Sequence, residues 1–192
     1  MPSPFAHLTA GYLVAHFAGD KLPLGGQPRS GVLLRAAILG GISLLPDLDA
    51  VPGLLVGDIG RYHNNASHSL LAGGGVALLA GLLAAALLGG RRKAAWLAWS
   101  GASLTAYLLH VSMDLFTGER GVLLLWPLPV RFTAPFKLFY GVQWGLGWIS
   151  AWHLWTLFTE FLFFAGLFLL LKLAGAINNR FFHNGKNKGK IQ

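Results

Sequence analysis

Residues 70–90 contain no charged side chain at all. As a helix rising 1.5 Å per residue, that run is roughly 30 Å long, the thickness of a bilayer's hydrocarbon core. The stretch therefore reads as a transmembrane helix, and the rest of the chain has to fold around it. The composition agrees. Hydrophobic residues make up 54% of the chain and charged residues 11%, against about 25% charged in a soluble domain. So much apolar surface excludes a disordered chain. With no cysteine among the 192 residues, disulfide frameworks, cysteine-based zinc or iron–sulfur sites and thiol nucleophiles are excluded as well. The fold expected is all-α: a polytopic membrane helix bundle of about five membrane helices, each taking about 20 residues.

The spans are placed by their interruptions. A short helix covers 5–19, broken in hydropathy by His7 and His16. A second covers 31–45 and stops before Pro46, because the residue preceding a proline avoids the helical region. The 70–90 helix has Ser67 as its N-cap. A fourth covers 94–116. Residues 139–177 are apolar for too long to be one perpendicular span. Trp144, Trp148, Trp152 and Trp155 share a helical face there, which suggests an interfacial segment before a last span at about 156–177. The membrane-embedded domain is thus 1–177, and 178–192 forms a basic cytoplasmic tail.

The formal charge of +8 does not point to nucleic acid. Arg91, Arg92 and Lys93 form one cluster beside an apolar run, and Arg180, Lys186, Lys188 and Lys190 form another, as cytoplasmic flanks do. Putting the 91–93 turn in the cytoplasm orients every other segment: N-terminus outside, C-terminal tail inside. His7, Asp47, Asp49, His63, His68, His110 and Asp114 then all fall at the outer membrane face. Ionisable residues at membrane depth are costly and are functional candidates by default.

Their types and spacing suit a divalent metal. His110 and Asp114 are four apart on one helix and share a face. Asp47 and Asp49 flank Leu48 in an expected extended turn, whose alternation puts both carboxylates on one side. His63 and His68 lie in a loop entering the 70–90 helix. His and Asp are ligands for zinc, the favoured ion, and the carboxylates also admit manganese or magnesium. The donors exceed the needs of one tetrahedral ion, so one or two ions are expected, with an Asp as bridge. His153 and Glu160, seven apart, offer a late ligand or a general base. No nucleophile elbow surrounds Ser69, and no phosphate-cradling or dinucleotide motif is present.

The order PDLD, HNNASHS and HVSMD, after the N-terminal MPSPFAH, resembles the YdjM-like inner-membrane metal-dependent hydrolases, over about residues 1–130. By that resemblance Asp47, Asp49, His63, His68, His110 and Asp114 are metal-site residues, and His7 matches the family's N-terminal histidine. The usual Arg-Gly after the first histidine is Asn64-Asn65 here, which leaves Arg61 or Arg120 to contact an anionic substrate. The ligand order is also distantly similar to that of the zinc-dependent phospholipase C group. The function expected is a metal-activated water attacking a phosphoester, of a lipid or lipid-linked substrate at headgroup depth, with Asp49 or Asp114 as proton acceptor and Arg61, Arg120 or Arg131 on the anionic group. The bilayer and that substrate are the expected partners. Two rivals remain open: a non-catalytic, metal-stabilised membrane scaffold or adaptor, and a transporter, which needs polar residues along its spans that 70–90 lacks.

Overall fold

A computed structural model describes residues 1–24, 28–88, 92–117, 120–146 and 149–188. Arg91 of the basic turn, Glu119, Trp148 of the tryptophan series and Lys190 of the tail lie outside the described residues. The architecture is all-α. Helix α1 (Pro4–Ala18) is followed by α2 (Pro28–Leu44), a 3-10 turn over Leu45–Asp49, the short α3 (Ala50–Leu55), α4 (Leu70–Leu87), α5 (Arg92–Leu115) and α6 (Ala151–Lys188).

Helix α5 runs through the middle of the bundle and packs against α1, α2 and α4. Small residues let the helices approach, as is usual where lipid supplies no hydrophobic drive between them. A methyl group on Gly73 would press on the Tyr107 ring, and one on Gly81 would strike Trp96 and Ser100. Ala95, Trp99, Ala102 and Ala106 of α5 form the central core with Val14, Ala15, Leu39 and Ala84. The outer surface is the reverse of a soluble protein's. Leu33, Leu71, Leu79, Leu87, Leu154, Phe161 and Leu170 all stand exposed on α2, α4 and α6, an apolar exterior suited to lipid.

Three segments are long and apolar enough to cross a membrane among the described residues: Gly31–Leu55, Leu70–Leu87 and Ala151–Gly175. This falls short of the expected five membrane helices. Helix α1 has 15 residues, about 22 Å, which is less than a bilayer core. Helix α5 is long enough at 24 residues, but as an interior helix it carries Ser, Thr and Gly, with Arg92 and Lys93 at its start and His110 and Asp114 near its end, in place of a lipid-facing apolar coat.

The C-terminal third also departs from expectation. Among the described residues no interfacial helix precedes the last span: 139–146 are irregular apart from a 3-10 turn at Trp144–Leu146, and α6 is one continuous helix of 38 residues. Gly141, at φ +73°, and Gly145 explain the break, since glycine is a poor helix former. At about 57 Å, α6 outreaches the hydrocarbon core and carries the chain into the basic tail. Helix α4 is capped not by Ser67 but by Ser69, whose hydroxyl accepts from the Ala72 amide at 3.1 Å.

Candidate metal centre

The site forms at one end of the bundle, where four separate segments meet. His7 comes from the first turn of α1, and Asp47 from the 3-10 turn after α2. His63 and His68 come from the loop before α4, and His110 and Asp114 from the last turns of α5. The histidines and Asp114 are buried.

Pro46 lies in the first turn of the 3-10 segment, where its fixed φ and missing N–H cost nothing. This turn corrects the expected extended geometry. At three residues per turn, positions two apart point in different directions, and the two carboxylates divide their partners while meeting at His63 Nδ1, 3.7 Å from Asp47 and 3.0 Å from Asp49. Asp47 also faces the imidazoles of His7, His68 and His110, at 4.0, 3.8 and 3.5 Å. Asp49 instead reaches the outer edges of two histidines. Its Oδ1 accepts from His63 Nδ1 at 3.0 Å, and its Oδ2 from His68 Nδ1 at 3.1 Å, the Ser67 hydroxyl at 2.6 Å and the Asn65 amide at 3.3 Å.

On α5, the four-residue spacing brings His110 Nε2 to 3.3 Å from Asp114 Oδ2. That same oxygen lies 3.0 Å from His68 Nε2 and 4.0 Å from His63 Nε2, and Asp114 Oδ1 is 3.9 Å from His7 Nε2. His7 stacks on His110 with ring centroids 3.7 Å apart. Two groups of donors result, each within 4.8 Å: His7, Asp47, His110 and Asp114, and Asp47, His63, His68 and Asp114. Asp47 and Asp114 belong to both. Ligands about 2.1 Å from a tetrahedral ion are about 3.4 Å from one another, and the separations of 3.0 to 4.0 Å given above bracket that value.

Whether these residues fit a metal is tested by the polar atoms left over. Both nitrogens of His7, both oxygens of Asp47, both oxygens of Asp114 and Nε2 of His63 are buried and make no hydrogen bond. Buried polar atoms are almost always paired, and here the orphaned carboxylates of Asp47 and Asp114 belong to both donor groups, with His7 in one and His63 in the other. His and Asp donors, with no cysteine, suit a divalent ion. His68 stands between the spans. Burial pulls its imidazole pKa down, but the adjacent carboxylates of Asp114 and Asp49 outweigh burial and hold it above the ordinary value.

The loop carrying His63 and His68 is held from outside the site. Asn64 takes a left-handed φ of +62°, which asparagine tolerates better than most residues. Its carbonyl accepts from Arg131 Nη1 at 3.1 Å, while Arg131 Nη2 donates to Asn65 Oδ1 at 2.7 Å. Arg120 donates to the carbonyls of Arg61 and His63, each at 2.9 Å. Two of the three arginines expected on an anionic substrate thus brace the loop backbone. Arg61 packs over the Tyr62 ring. Tyr107, one turn before His110, donates to the Ser67 carbonyl. Sequence reasoning missed this tyrosine and took Ser67 for a helix cap. Tyr107's only signal was its place on the face of α5 that carries His110.

His153 and Glu160 belong to neither donor group. His153 Nε2 donates to the Gln143 carbonyl at 3.3 Å, and Glu160 accepts from the Ser3 amide at 2.7 Å and from the Ser3 hydroxyl.

No curated protein and no solved structure matches the chain. A family model does: that of the YdjM inner membrane protein, over residues 1–181. Covering nearly the whole sequence, this match shows that the chain belongs to the YdjM inner membrane protein family.

Proposed function

We propose that the protein is a membrane-bound hydrolase using two divalent ions, zinc favoured and manganese or magnesium admitted, to cleave a phosphoester of a lipid or lipid-linked substrate at the outer face of the inner membrane. The observation that carries this reading is the sharing of Asp47 and Asp114 by two four-residue donor groups. A closed structural ion needs four ligands. Two overlapping sets with common carboxylates are the arrangement of paired-ion hydrolytic sites, whose ions lie about 3.5–4 Å apart. Divalent ions so held supply a water that ionises near neutral pH and a Lewis acid for the developing oxyanion.

The chain's own residues divide the remaining work. His7 and His110 hold one end of the site, and His63 and His68 the other. Asp114 and Asp47 lie between them. Asp49 acts through the histidines: by accepting from both Nδ1 atoms it keeps their Nε2 lone pairs turned inward, the usual partnership of a carboxylate with a metal-binding imidazole. Both of its oxygens are engaged, which favours an orienting role over proton transfer.

Two openings support an amphiphilic substrate. A cavity of about 490 Å³, lined by Asp58, Gly60, His63, Val142 and Gln143 among others, adjoins the site on the loop side. An apolar groove of about 350 Å³ runs between α2 and α4 along Ile38, Leu45, Val76, Leu83 and Trp99, with Leu45 two residues from Asp47. The loop-side cavity gives water and a headgroup a route to His63, which a closed scaffold ion does not need. Orientation rests on Arg92 and Lys93, which begin α5 at the end of the bundle remote from the site and belong in the cytoplasm.

The test is metal analysis of the purified protein, then hydrolysis of a soluble phosphodiester and a long-chain lipid phosphoester by the loaded wild type and by Asp114→Ala. Metal-dependent turnover lost in the variant is expected. A metal-loaded wild type that cleaves no phosphoester, ester or amide refutes the enzyme and leaves the metal-stabilised scaffold.

A further inference from the structure

Glu160 is the one carboxylate inside the last span, and it is 3% exposed. A carboxylate at that depth is costly and has to be matched by donors. Its oxygens take the backbone amide and the hydroxyl of Ser3, far away in sequence. Ser3 is the N-cap of α1. Its hydroxyl oxygen accepts from the Ala6 amide at 3.2 Å, and its carbonyl accepts from the amides of Ala6 and His7 at 2.9 and 3.3 Å. His7 therefore lies one turn from the point at which α6 grips α1. The same seam continues one turn along α6, where Phe164 packs with Ala6, Ala10 and Leu13 of α1.

The other donors are fixed locally. Asp49 and its neighbours hold His63 and His68, α5 carries His110 and Asp114 on one face, and the turn containing Pro46 sets Asp47. His7 has no such support. Neither of its ring nitrogens is hydrogen-bonded, and its ring rests on His110. Its position depends on where the first turn of α1 sits. From this geometry we infer that Glu160 is a positioning residue: by clamping Ser3 it sets α1 so that His7 completes the donor group with Asp47, His110 and Asp114. The inference rests on the two-ion reading above, and it makes that ion's affinity depend on a residue outside the site.

The experiment compares ion stoichiometry and affinity in full-length wild type and in Glu160→Ala, Ser3→Ala, the double variant, Glu160→Gln and His7→Ala, with thermal melting measured alongside. Glu160→Ala and Ser3→Ala should each weaken one of two ions by about 10–100-fold, the usual cost of losing an outer partner, and should approach His7→Ala while the second ion stays at wild-type affinity. The double variant should be little weaker than Glu160→Ala, because Ser3→Ala removes only the hydroxyl half of the clamp and leaves the residue-3 backbone amide on Glu160. Glu160→Gln should restore most of the binding, since its amide oxygen accepts from the Ser3 amide and its NH₂ donates to the hydroxyl. Two ions held at wild-type affinity in Glu160→Ala overturn the inference and leave the two-ion reading standing. So does equal weakening of both ions that Gln does not rescue, the mark of general destabilisation. A wild type that binds one ion or none refutes the two-ion reading, and the inference with it.

Discussion

Replacing Asp49 by asparagine separates an orienting carboxylate from a ligand or a proton acceptor. The carboxylate receives four donors. One, His63 Nδ1, is on Oδ1; the other three, from His68, Ser67 and Asn65, are on Oδ2. An asparagine keeps the shape but has only one acceptor oxygen. The arrangement that satisfies most donors turns that oxygen toward the three and leaves NH₂ facing His63. Two donors then meet, so His63 must shift its proton to Nε2, the nitrogen that points at Asp114. The consequence is selective. The donor group of His63 and His68 loses one imidazole lone pair, while that of His7 and His110 is untouched. Loss of one such outer partner costs about 10–100-fold in affinity, or about 1.4–2.7 kcal/mol. Competition against a chelator of known affinity, read for each ion in turn, measures it. Equal affinity for both ions in Asp49→Asn and wild type refutes the orienting role. If that variant keeps its ions but loses about 10²–10⁴-fold in turnover, the proton-acceptor role expected from the sequence is restored.

Three further outcomes follow from the same geometry. Asp114→Ala and Asp47→Ala should each deplete both ions, because both groups share these carboxylates, whereas His7→Ala should remove one and His63→Ala the other; elemental analysis distinguishes the cases. His68 carries a pKa raised above the ordinary imidazole value, burial being outweighed by Asp114 and Asp49. The ion-free protein therefore keeps a proton there to higher pH, and an ion must displace it. Affinity should climb with pH up to that raised pKa and weaken by about tenfold per unit below it, and a flat profile between pH 6 and 8 would contradict this. In a chain without native cysteine, Ile149→Cys, fully exposed at the site end of α6, should react with an impermeant maleimide in intact cells, while Arg92→Cys should not; the opposite pattern would invert the topology.

Much of the site was legible because charge is scarce in this chain. With 70–90 free of it, the placing of Arg92 and Lys93 set which helix ends lie together, and His7, Asp47, Asp49, His63, His68, His110 and Asp114 sorted to one end. The His110–Asp114 pair needed only helical spacing. What stayed hidden was local geometry and distant contact. Pro-Asp-Leu-Asp reads as an extended turn, yet proline is equally at home in the first turn of a 3-10 helix, and that choice sends Asp49 to the histidines' outer edges. Four tryptophans at helical spacing read as a face, but Gly141 and Gly145 among them keep residues 139–146 from forming an α-helix. Helix α5 has the length of a span and the composition of a buried helix, a distinction that needs its neighbours. Arg120 and Arg131 looked free for an anion because nothing near them in sequence announces the carbonyls of residues 61–64.

Charge balance bears on which substrate the centre suits. Asp47, Asp49 and Asp114 bring three negative charges into a largely buried cluster whose imidazoles are neutral when they bind metal. Uncompensated, such a cluster is strongly unfavourable. In the ion-free protein protons supply part of the balance, which is the physical content of the raised His68 pKa. One divalent ion leaves a single negative charge, and an anionic substrate would then be repelled. Two divalent ions leave a single positive charge, which a monoanion such as a phosphodiester neutralises. With Arg120 and Arg131 engaged on backbone carbonyls, on the proposed two-ion reading this surplus would do the work assigned to arginines from the sequence. The paired-ion site therefore makes a specific demand. A phosphodiester should bind only to the doubly loaded protein, and a neutral ester should gain little from the second ion. Tight phosphodiester binding at one ion per chain would break this argument.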